Sequence, residues 1–274
     1  MTAPPTRLPL LRAAHPEPAV AVTLATAALS VGLGQNAWRV VLVAAAVFAG
    51  QLSVGWLNDV VDAARDAAVG RADKPVATGQ VSVAVVRMSF WVSAVLAVAL
   101  SLFACLFAGL AHIVALLSAW AYDLRVKATV FSIVPYALSF GLLTAFVTLA
   151  LPDPYWPPWW LTATASLLGC AAHFANTLPD FADDRATGVL GLPHRLGAAA
   201  SRTAAALLVL AASATLVFGL PGDARLLGLV ALGVATAVTT VGLVRGRRPG
   251  SRAAFHAMLG VALLDAAVLV ISIR

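Results

Sequence analysis

Two short acidic segments stand out in a chain that contains few carboxylates. The first, NDVVDAARD, occupies residues 58–66, and the second, NTLPDFADDRATG, occupies residues 176–188. The chain of 274 residues has only 12 acidic side chains, so their concentration in two places needs a chemical reason. Mg²⁺ prefers oxygen ligands, binds through one or two carboxylates and completes its shell with water and phosphate. The two segments therefore predict a magnesium-bridged polyphosphate ligand.

The spacing within each segment is that of an α-helix. Asn58, Asp62 and Asp66 follow one another at intervals of four, which places them on one helical face. If a helix continues through the second segment, its members share a face in the same way: Asn176, Asp180 and Asp184. Like charges at this spacing repel each other, so the two stripes require cations between them. Neither segment contains His or Cys in a zinc pattern, which disfavours zinc.

Basic side chains accompany the acidic segments. Six of them stand in the adjoining loops: Arg71, Lys74, Arg125, Lys127, Arg185 and Arg195. Arginine and lysine bind phosphate oxygens, and arginine can do so through two hydrogen bonds at once. The same residues are also what the cytoplasmic loops of a membrane protein contain, and the sequence leaves both interpretations open.

The rest of the sequence is strongly apolar. Hydrophobic residues make up 61% of the chain and charged residues 11%, and the mean hydropathy is +0.92. A transmembrane helix needs about 20 mainly apolar residues. Nine segments meet that need, near residues 17–34, 38–58, 82–101, 103–122, 129–150, 157–179, 198–219, 224–244 and 253–273. We therefore predict an all-α polytopic membrane protein with nine transmembrane helices, folded as a single domain over residues 1–274.

The basic residues also predict the orientation in the bilayer. With the N-terminus in the cytoplasm, only three of the 18 Lys and Arg residues fall outside: Arg39, Arg225 and Arg274. Arg7 and the other basic residues then lie on the cytoplasmic side, as do both acidic segments, while the C-terminus lies outside. This asymmetry accounts for the net charge of +6 without a nucleic-acid partner.

The segments resemble the motifs of the UbiA superfamily of membrane prenyltransferases, which includes the 4-hydroxybenzoate polyprenyltransferase type. NDVVDAARD resembles the family's N-D-x-x-D-x-x-x-D motif. NTLPDFADDRATGVLGLPHRLG resembles its second motif, D-x-x-x-D followed by a Gly, a Leu-Pro and an Arg-Leu-Gly. YDLRVK, residues 122–127, stands where the family has a tyrosine and basic residues. The resemblance covers almost the whole chain and includes the count of nine spans.

The resemblance implies a helical bundle around a central cavity, where Mg²⁺ holds an isoprenyl diphosphate whose prenyl group passes to a hydrophobic or aromatic acceptor. It implies metal binding by Asn58, Asp62, Asp66, Asp180 and Asp184. The four aspartates of that set would be catalytic. Diphosphate contacts would come from Asn58, Asp59, Arg71, Lys74, Arg125, Lys127, Asn176 and Asp183. The acceptor would meet Arg12 and Tyr122. Arg12 is equally consistent with a plain cytoplasmic anchor, and the sequence leaves both interpretations open.

Other functions fit parts of the pattern. A UbiA-type terpene cyclase would ionise the same kind of diphosphate and close the chain on itself, with an identical metal site. A transporter with an acidic ion path is disfavoured, because the acids cluster at one membrane face. A CDP-alcohol phosphotransferase is disfavoured, because Asp62 is followed by Ala63 where that family has glycine.

Three polar residues lie inside the predicted spans. We expect His112 and His173 to be packed helix residues, and Asp265 to pair within the bundle without an assigned role. Cys105 and Cys170 also fall in apolar segments, without metal-binding spacing, and are expected to be free thiols.

Overall fold

The computed structural model describes residues 8–248 and 250–272, a range in which the regular structure is helical and no strand occurs. Within that range the α-helices are α1 (Pro9–Ala13), α2 (Pro16–Gly32), α3 (Ala37–Ala68), α4 (Val83–Ala104), α5 (Leu106–Leu124), α6 (Val134–Leu149), α7 (Trp159–Thr177), α8 (Phe181–Ala186), α9 (Leu192–Leu196), α10 (Ala198–Gly219), α11 (Arg225–Arg245) and α12 (Ala253–Ser272). A short 3-10 helix, Val126–Ala128, follows α5.

The long helices coincide in position with the predicted spans. In the described part of the chain, six are long and apolar enough to cross a membrane: α3, α4, α5, α10, α11 and α12. α6 is apolar but shorter, with 16 residues, and α2 has 17. The all-α class is confirmed, whereas the number of crossings stays a prediction. Arg7 and Arg274, which entered the orientation argument, lie outside the described residues.

Local sequence explains where several helices begin. The Asn36 side chain accepts a hydrogen bond of 3.0 Å from the backbone N–H of Arg39 at the start of α3. Ser82 accepts one of 3.3 Å from Val85 at the start of α4. Such caps satisfy N–H groups that the first turn leaves without a partner. α2 and α6 instead have proline in the first turn, where its missing N–H costs little.

The helices form a closed ring. Neighbours along the chain pack together from α2 to α7, α7 packs against α10, and α12 returns to contact α2. At the end of the ring where α6 stops, the Gln35 side chain donates to the carbonyl of Val147, and Arg39 donates to that of Ala150. Phe146 lies fully buried in the apolar core at this end. The opposite end carries the polar segments.

A glycine on α3 brings the N-terminal segment close to the polar end. A Cβ atom at Gly55 would lie 2.2 Å from the carbonyl oxygen of Ala14, a distance that no side chain tolerates. The junction between α1 and α2 therefore lies directly on α3, one turn before Asn58. This contact places His15 and Arg12 beside the acidic segment.

Candidate active site

One end of the bundle encloses a cavity of about 790 Å³. α3, α5 and α7 end here, and α2 and α12 begin here, so several connecting segments meet at one place. The wall includes twelve of the fourteen residues predicted from the sequence: Arg12, Asn58, Asp62, Asp66, Arg71, Lys74, Tyr122, Lys127, Asn176, Asp180, Asp183 and Asp184. The other two predicted residues, Asp59 and Arg125, do not line it.

The first acidic segment forms the stripe that its spacing predicts. α3 runs through the segment, and Asn58, Asp62 and Asp66 all reach the cavity. Asp62 is 5% exposed and Asp66 is 3% exposed. Asp62 accepts hydrogen bonds from Lys127 at 2.6 Å and from Arg65 at 2.9 Å. Buried carboxylates require such partners, because an unpaired charge away from water is strongly unfavourable.

The second acidic segment does not form one continuous stripe, and the prediction that it would is wrong. α7 ends at Thr177, Asp180 lies in the turn that follows, and Asp184 belongs to the separate helix α8. The break follows from Pro179, which lacks the backbone N–H that would continue the hydrogen-bond pattern of α7. Asp180, Asp183 and Asp184 nevertheless all line the cavity.

Two arginines connect the regions of the two acidic segments. One Nη atom of Arg65 lies 2.9 Å from Asp62 and 3.7 Å from Asp184. Arg71, in the loop after α3, lies 3.0 Å from Asp180. The acidic segments therefore face each other across the cavity, at a separation that one guanidinium group spans.

Arg71 also shifts the titration of its neighbours. It donates two hydrogen bonds of 2.8 Å to Asp73 and thereby lowers the pKa of Asp73 to about 2. The same bonds raise the pKa of Arg71 above its usual value. Burial raises the pKa of Asp180, although the positive charge of Arg71 opposes that change. The charge on Asp180 is thus incompletely compensated, and a further cation would stabilise it.

Lys74 is held at the cavity wall by a buried partner. Its Nζ atom lies 2.8 Å from Asp59 Oδ1 and 3.0 Å from His15 Nε2. Asp59 is 1% exposed, so it acts on the cavity through Lys74. Asp59 therefore positions Lys74. His15, the other neighbour of Lys74, has a φ of 52°, a conformation that is unfavourable for a residue with a side chain.

Besides Tyr136, the structure places four residues in the cavity wall that have no role in the pattern of the sequence: His15, Arg65, Asp123 and His194. Asp123 is 2% exposed, lines the cavity and accepts a hydrogen bond of 3.1 Å from Asn58. His194 is buried and lies 3.3 Å from Asp184. Asp123 could have been found from its position at the end of an apolar run, one turn before Lys127. His15 and His194 are brought to the acids only by the fold, whereas Arg65 belongs to the first acidic segment and gains its contact with Asp184 from the fold.

Aromatic rings line the cavity next to the acidic segments. Tyr122 meets Tyr136 edge-on, with 5.0 Å between ring centroids, and meets His173 at 5.6 Å. Tyr136 stacks on Phe140 at 6.3 Å. His173 is buried and hydrogen-bonded to Ser132 at 3.0 Å, as expected for a packed helix residue, but it also forms part of the cavity wall. Electron-rich ring faces attract cations, so this wall can stabilise positive charge in a bound molecule.

Three basic residues that the sequence predicts to contact the substrate differ in their position relative to the cavity. Arg12 lines the cavity, and its guanidinium group donates to the backbone carbonyl of Asp73 at 3.0 Å. Lys127 reaches Asp62 from the short helix after α5. Arg125, two residues earlier, is exposed and lies away from the cavity wall, so no contact there supports its predicted role.

A smaller cavity of about 160 Å³ adjoins the first and is largely apolar. The two share several wall residues, among them Val22, Phe140 and Leu143. Asp265, in the wall of the smaller cavity, accepts a hydrogen bond of 2.8 Å from Ser213, which confirms the predicted pairing within the bundle. His112 is buried as predicted and pairs with Ser101 at 2.7 Å, and it also forms part of the wall of the larger cavity. The smaller cavity offers room for part of a hydrocarbon chain.

The donor set suits Mg²⁺. Within residues 8–248 and 250–272, no group of three or more His, Cys, Asp or Glu side chains forms a ready-made metal cage. Mg²⁺ does not require one, since it takes most of its ligands from water and phosphate. Carboxylates reach one cavity from two sides: Asp62 and Asp66 from one, Asp180 and Asp184 from the other. These residues fit a magnesium ion that binds together with a phosphate ligand.

Solved structures share this fold. A UbiA homologue from Aeropyrum pernix K1 has a TM-score of 0.75 at 18% identity, over 92% of this chain and 98% of that one. A UbiA homologue from Archaeoglobus fulgidus bound to GPP and Mg²⁺ has a TM-score of 0.72 at 17% identity, over 97% and 99%. A digeranylgeranylglyceryl phosphate synthase has a TM-score of 0.66 at 16% identity, over 97% and 96%. The chain thus has the all-α fold of the UbiA homologues.

The sequence profile then identifies the family. The profile of the UbiA prenyltransferase family matches residues 19–263. A comparison with curated proteins gives no match. The chain belongs to the UbiA prenyltransferase family, which the resemblance of its two acidic motifs predicted.

Proposed function

We propose that the protein is a Mg²⁺-dependent intramembrane prenyltransferase. It would ionise an isoprenyl diphosphate and transfer the prenyl group to a hydrophobic acceptor, either an aromatic compound or a quinone precursor. The observation that carries this proposal is the junction of two cavities, one lined by facing acidic segments and the other apolar. An isoprenyl diphosphate has the same two halves. Relatives bound to DMAPP or GPP with Mg²⁺ support the assignment.

In this proposal the metal binds between the two acidic segments. The residues that would hold it are Asn58, Asp62, Asp66, Asp180 and Asp184. When bound, Mg²⁺ would neutralise diphosphate oxygens and stabilise the charge that develops on the leaving group.

The cations of the cavity wall bind the diphosphate directly. Arg71, Lys74 and Lys127 would contact phosphate oxygens, and Asp59 would keep Lys74 in place. Asn176 and Asp183 would complete the same surface from the second segment. Positive charge fixed beside the departing diphosphate lowers the barrier to breaking the allylic C–O bond.

The aromatic wall protects the allylic cation that remains. Tyr122 and Tyr136 present ring faces and edges to the cavity beside the acidic segments. A dry, ring-lined site stabilises the cation and keeps water from capturing it. An electron-rich acceptor then bonds to the allylic carbon and loses a proton. Arg12 and Tyr122 would meet this acceptor.

The proposed setting is a lipid bilayer crossed by nine helices. The N-terminus and both acidic segments would face the cytoplasm, and the C-terminus would lie outside. The positive-inside asymmetry of the loops supports this orientation. The fold supports one part of this arrangement, because both acidic segments lie at the same end of the bundle and would face the same side of the membrane.

The test is an assay of the purified protein with Mg²⁺ and allylic diphosphates of several lengths. Product formation is compared with and without a panel of aromatic and quinone-precursor acceptors. We expect a prenylated acceptor and little diphosphate release in its absence. A cyclic hydrocarbon or alcohol formed without any acceptor would instead identify a terpene cyclase. Absence of diphosphate release under every condition would refute both.

A further inference from the structure

Arg65 lies among three carboxylates that belong to both acidic segments. Its Nη2 atom lies 2.9 Å from Asp62, 3.6 Å from Asp66 and 3.7 Å from Asp184. Its side chain is 23% exposed, and the three carboxylates are less exposed still. Arg65 is part of the cavity wall and not a surface residue.

A cation at this position reduces the repulsion between the carboxylates of the two segments. Carboxylates that share a site repel each other, and the repulsion must be compensated if they remain ionised. Lys127 pairs with Asp62, and Arg71 pairs with Asp180, each from its own loop. The guanidinium group of Arg65 compensates the acids at the place where the two segments meet.

We propose that Arg65 is a built-in counter-ion that stands in for the metal while the diphosphate site is empty. This inference rests on the proposed function, since it concerns the same magnesium site. A divalent ion that enters alone meets the same acids and also the positive charge of Arg65. Even at an effective dielectric constant of about 20, repulsion between cations a few ångströms apart is large. The metal alone therefore binds weakly.

The diphosphate makes metal binding favourable. It brings negative charge that attracts both the metal and Arg65, and guanidinium groups bind phosphate oxygens through paired hydrogen bonds. The carboxylates are then available to bind the metal, while Arg65 pairs with phosphate oxygens. Loading of metal and diphosphate is therefore coupled, and each increases the affinity for the other by the same factor.

The test measures metal binding and not turnover. Wild type, Arg65→Gln and Arg65→Lys are purified, stripped with EDTA and titrated with Mg²⁺, with and without inorganic pyrophosphate. Arg65→Gln should bind Mg²⁺ alone about tenfold more tightly than wild type, because a competing unit charge is gone. It should also unfold at a lower temperature in EDTA. Arg65→Lys keeps the charge and should stay near wild type in both measurements.

Arg87→Gln is the matched control, because Arg87 is exposed on α4 and does not line the cavity. It removes the same charge and should change neither measurement. Unchanged or weaker Mg²⁺ binding by Arg65→Gln would show that Arg65 is only a structural brace. Failure of Arg65→Gln to fold in saturating Mg²⁺ would also refute the inference, because the metal should replace the lost charge. If wild type binds no Mg²⁺ even with pyrophosphate, the proposed function itself fails.

Discussion

The side-chain amide of Asn58 donates a hydrogen bond of 3.1 Å to Asp123 and thereby ties α3 to the end of α5. The same amide lies 3.2 Å from Asp62, one turn further along α3. The second carboxylate oxygen of Asp123 is buried without a hydrogen-bond partner. A buried oxygen without a partner costs free energy, while the other oxygen of Asp123 holds the amide of Asn58 in place.

Replacement of Asp123 by alanine should slow prenyl transfer about 10- to 100-fold, because Asn58 loses the acceptor that orients it. Asp123→Asn keeps an acceptor oxygen and should lose less. Initial rates at saturating donor and Mg²⁺ measure the effect, and thermal unfolding verifies that the variants are folded. Equal rates for wild type and the alanine variant would contradict this role.

Loss of an acid from either segment should stop the reaction. Asp62→Ala and Asp180→Ala each remove one oxygen donor of the proposed metal site, so diphosphate release should fall below detection. Asp223→Asn, in an exposed turn away from the cavity, should retain wild-type activity. Radiolabelled donor and measured diphosphate release provide the readout. Full activity in either alanine variant would remove the site from consideration.

Variants of Asp59 and Lys74 distinguish an effect on folding stability from an effect on diphosphate binding. Asp59→Leu alone leaves a largely buried ammonium group without its partner and should lower stability by about 3–5 kcal/mol. The double variant Asp59→Leu/Lys74→Met replaces both charges with apolar groups and should recover most of that loss. It should still bind diphosphate more weakly than wild type, because Lys74 is a proposed phosphate contact.

Thermal unfolding and the KM for the donor together test this prediction. A double variant that is stable but has a raised KM supports the assignment. Wild-type KM in the double variant would show that Lys74 has no contact with the diphosphate.

The apolar cavity should set the length of the prenyl chain. Ala165 lies in its wall, and Ala165→Phe would fill part of the 160 Å³. Donors with long chains should lose kcat/KM, while the shortest donors should be unaffected. Ala237→Phe, on an exposed face of α11, is the control for the added bulk. An equal loss with short and long donors would place the tail elsewhere.

Acid should weaken the loop that carries Arg71. The pKa of Asp73 lies at about 2, below its ordinary value of 3.8, because Arg71 donates two hydrogen bonds to it. A lowered pKa stabilises the folded protein above the unfolded value, and this contribution disappears as the pH falls through the folded value. Between about pH 4 and pH 2, Asp73→Asn should therefore lose less stability than wild type. Identical acid unfolding curves would show that the pair contributes nothing.

Much of the architecture could be predicted because it depends on local features. Apolar runs located the long helices, and intervals of four located the stripe of Asn58, Asp62 and Asp66 on α3. The second segment departs from its four-residue spacing at Pro179, because the proline lacks a backbone N–H and α7 ends before Asp180. The proline is part of the sequence, so this break is predictable from local chemistry.

Other parts of the site depend on contacts between distant segments and could not be predicted. Arg65 belongs to the first acidic segment, and only the fold places it beside Asp184, more than 100 residues later. Asp59 resembled its neighbours in the motif, yet it lies behind the cavity wall and holds Lys74. Sequence identifies such residues as polar, and only packing decides which partner each one meets.

The proline break after α7 makes the two halves of the site mechanically unequal. The acids of the first segment stand on a helix of 32 residues that packs against α2, α4 and α5. Asp180 instead lies in a turn, and Asp184 stands on a helix of six residues. When donors that differ in size or charge bind, we expect the short elements to shift while α3 remains a fixed reference. Adaptation to a new substrate should therefore begin with changes in the residues around Pro179.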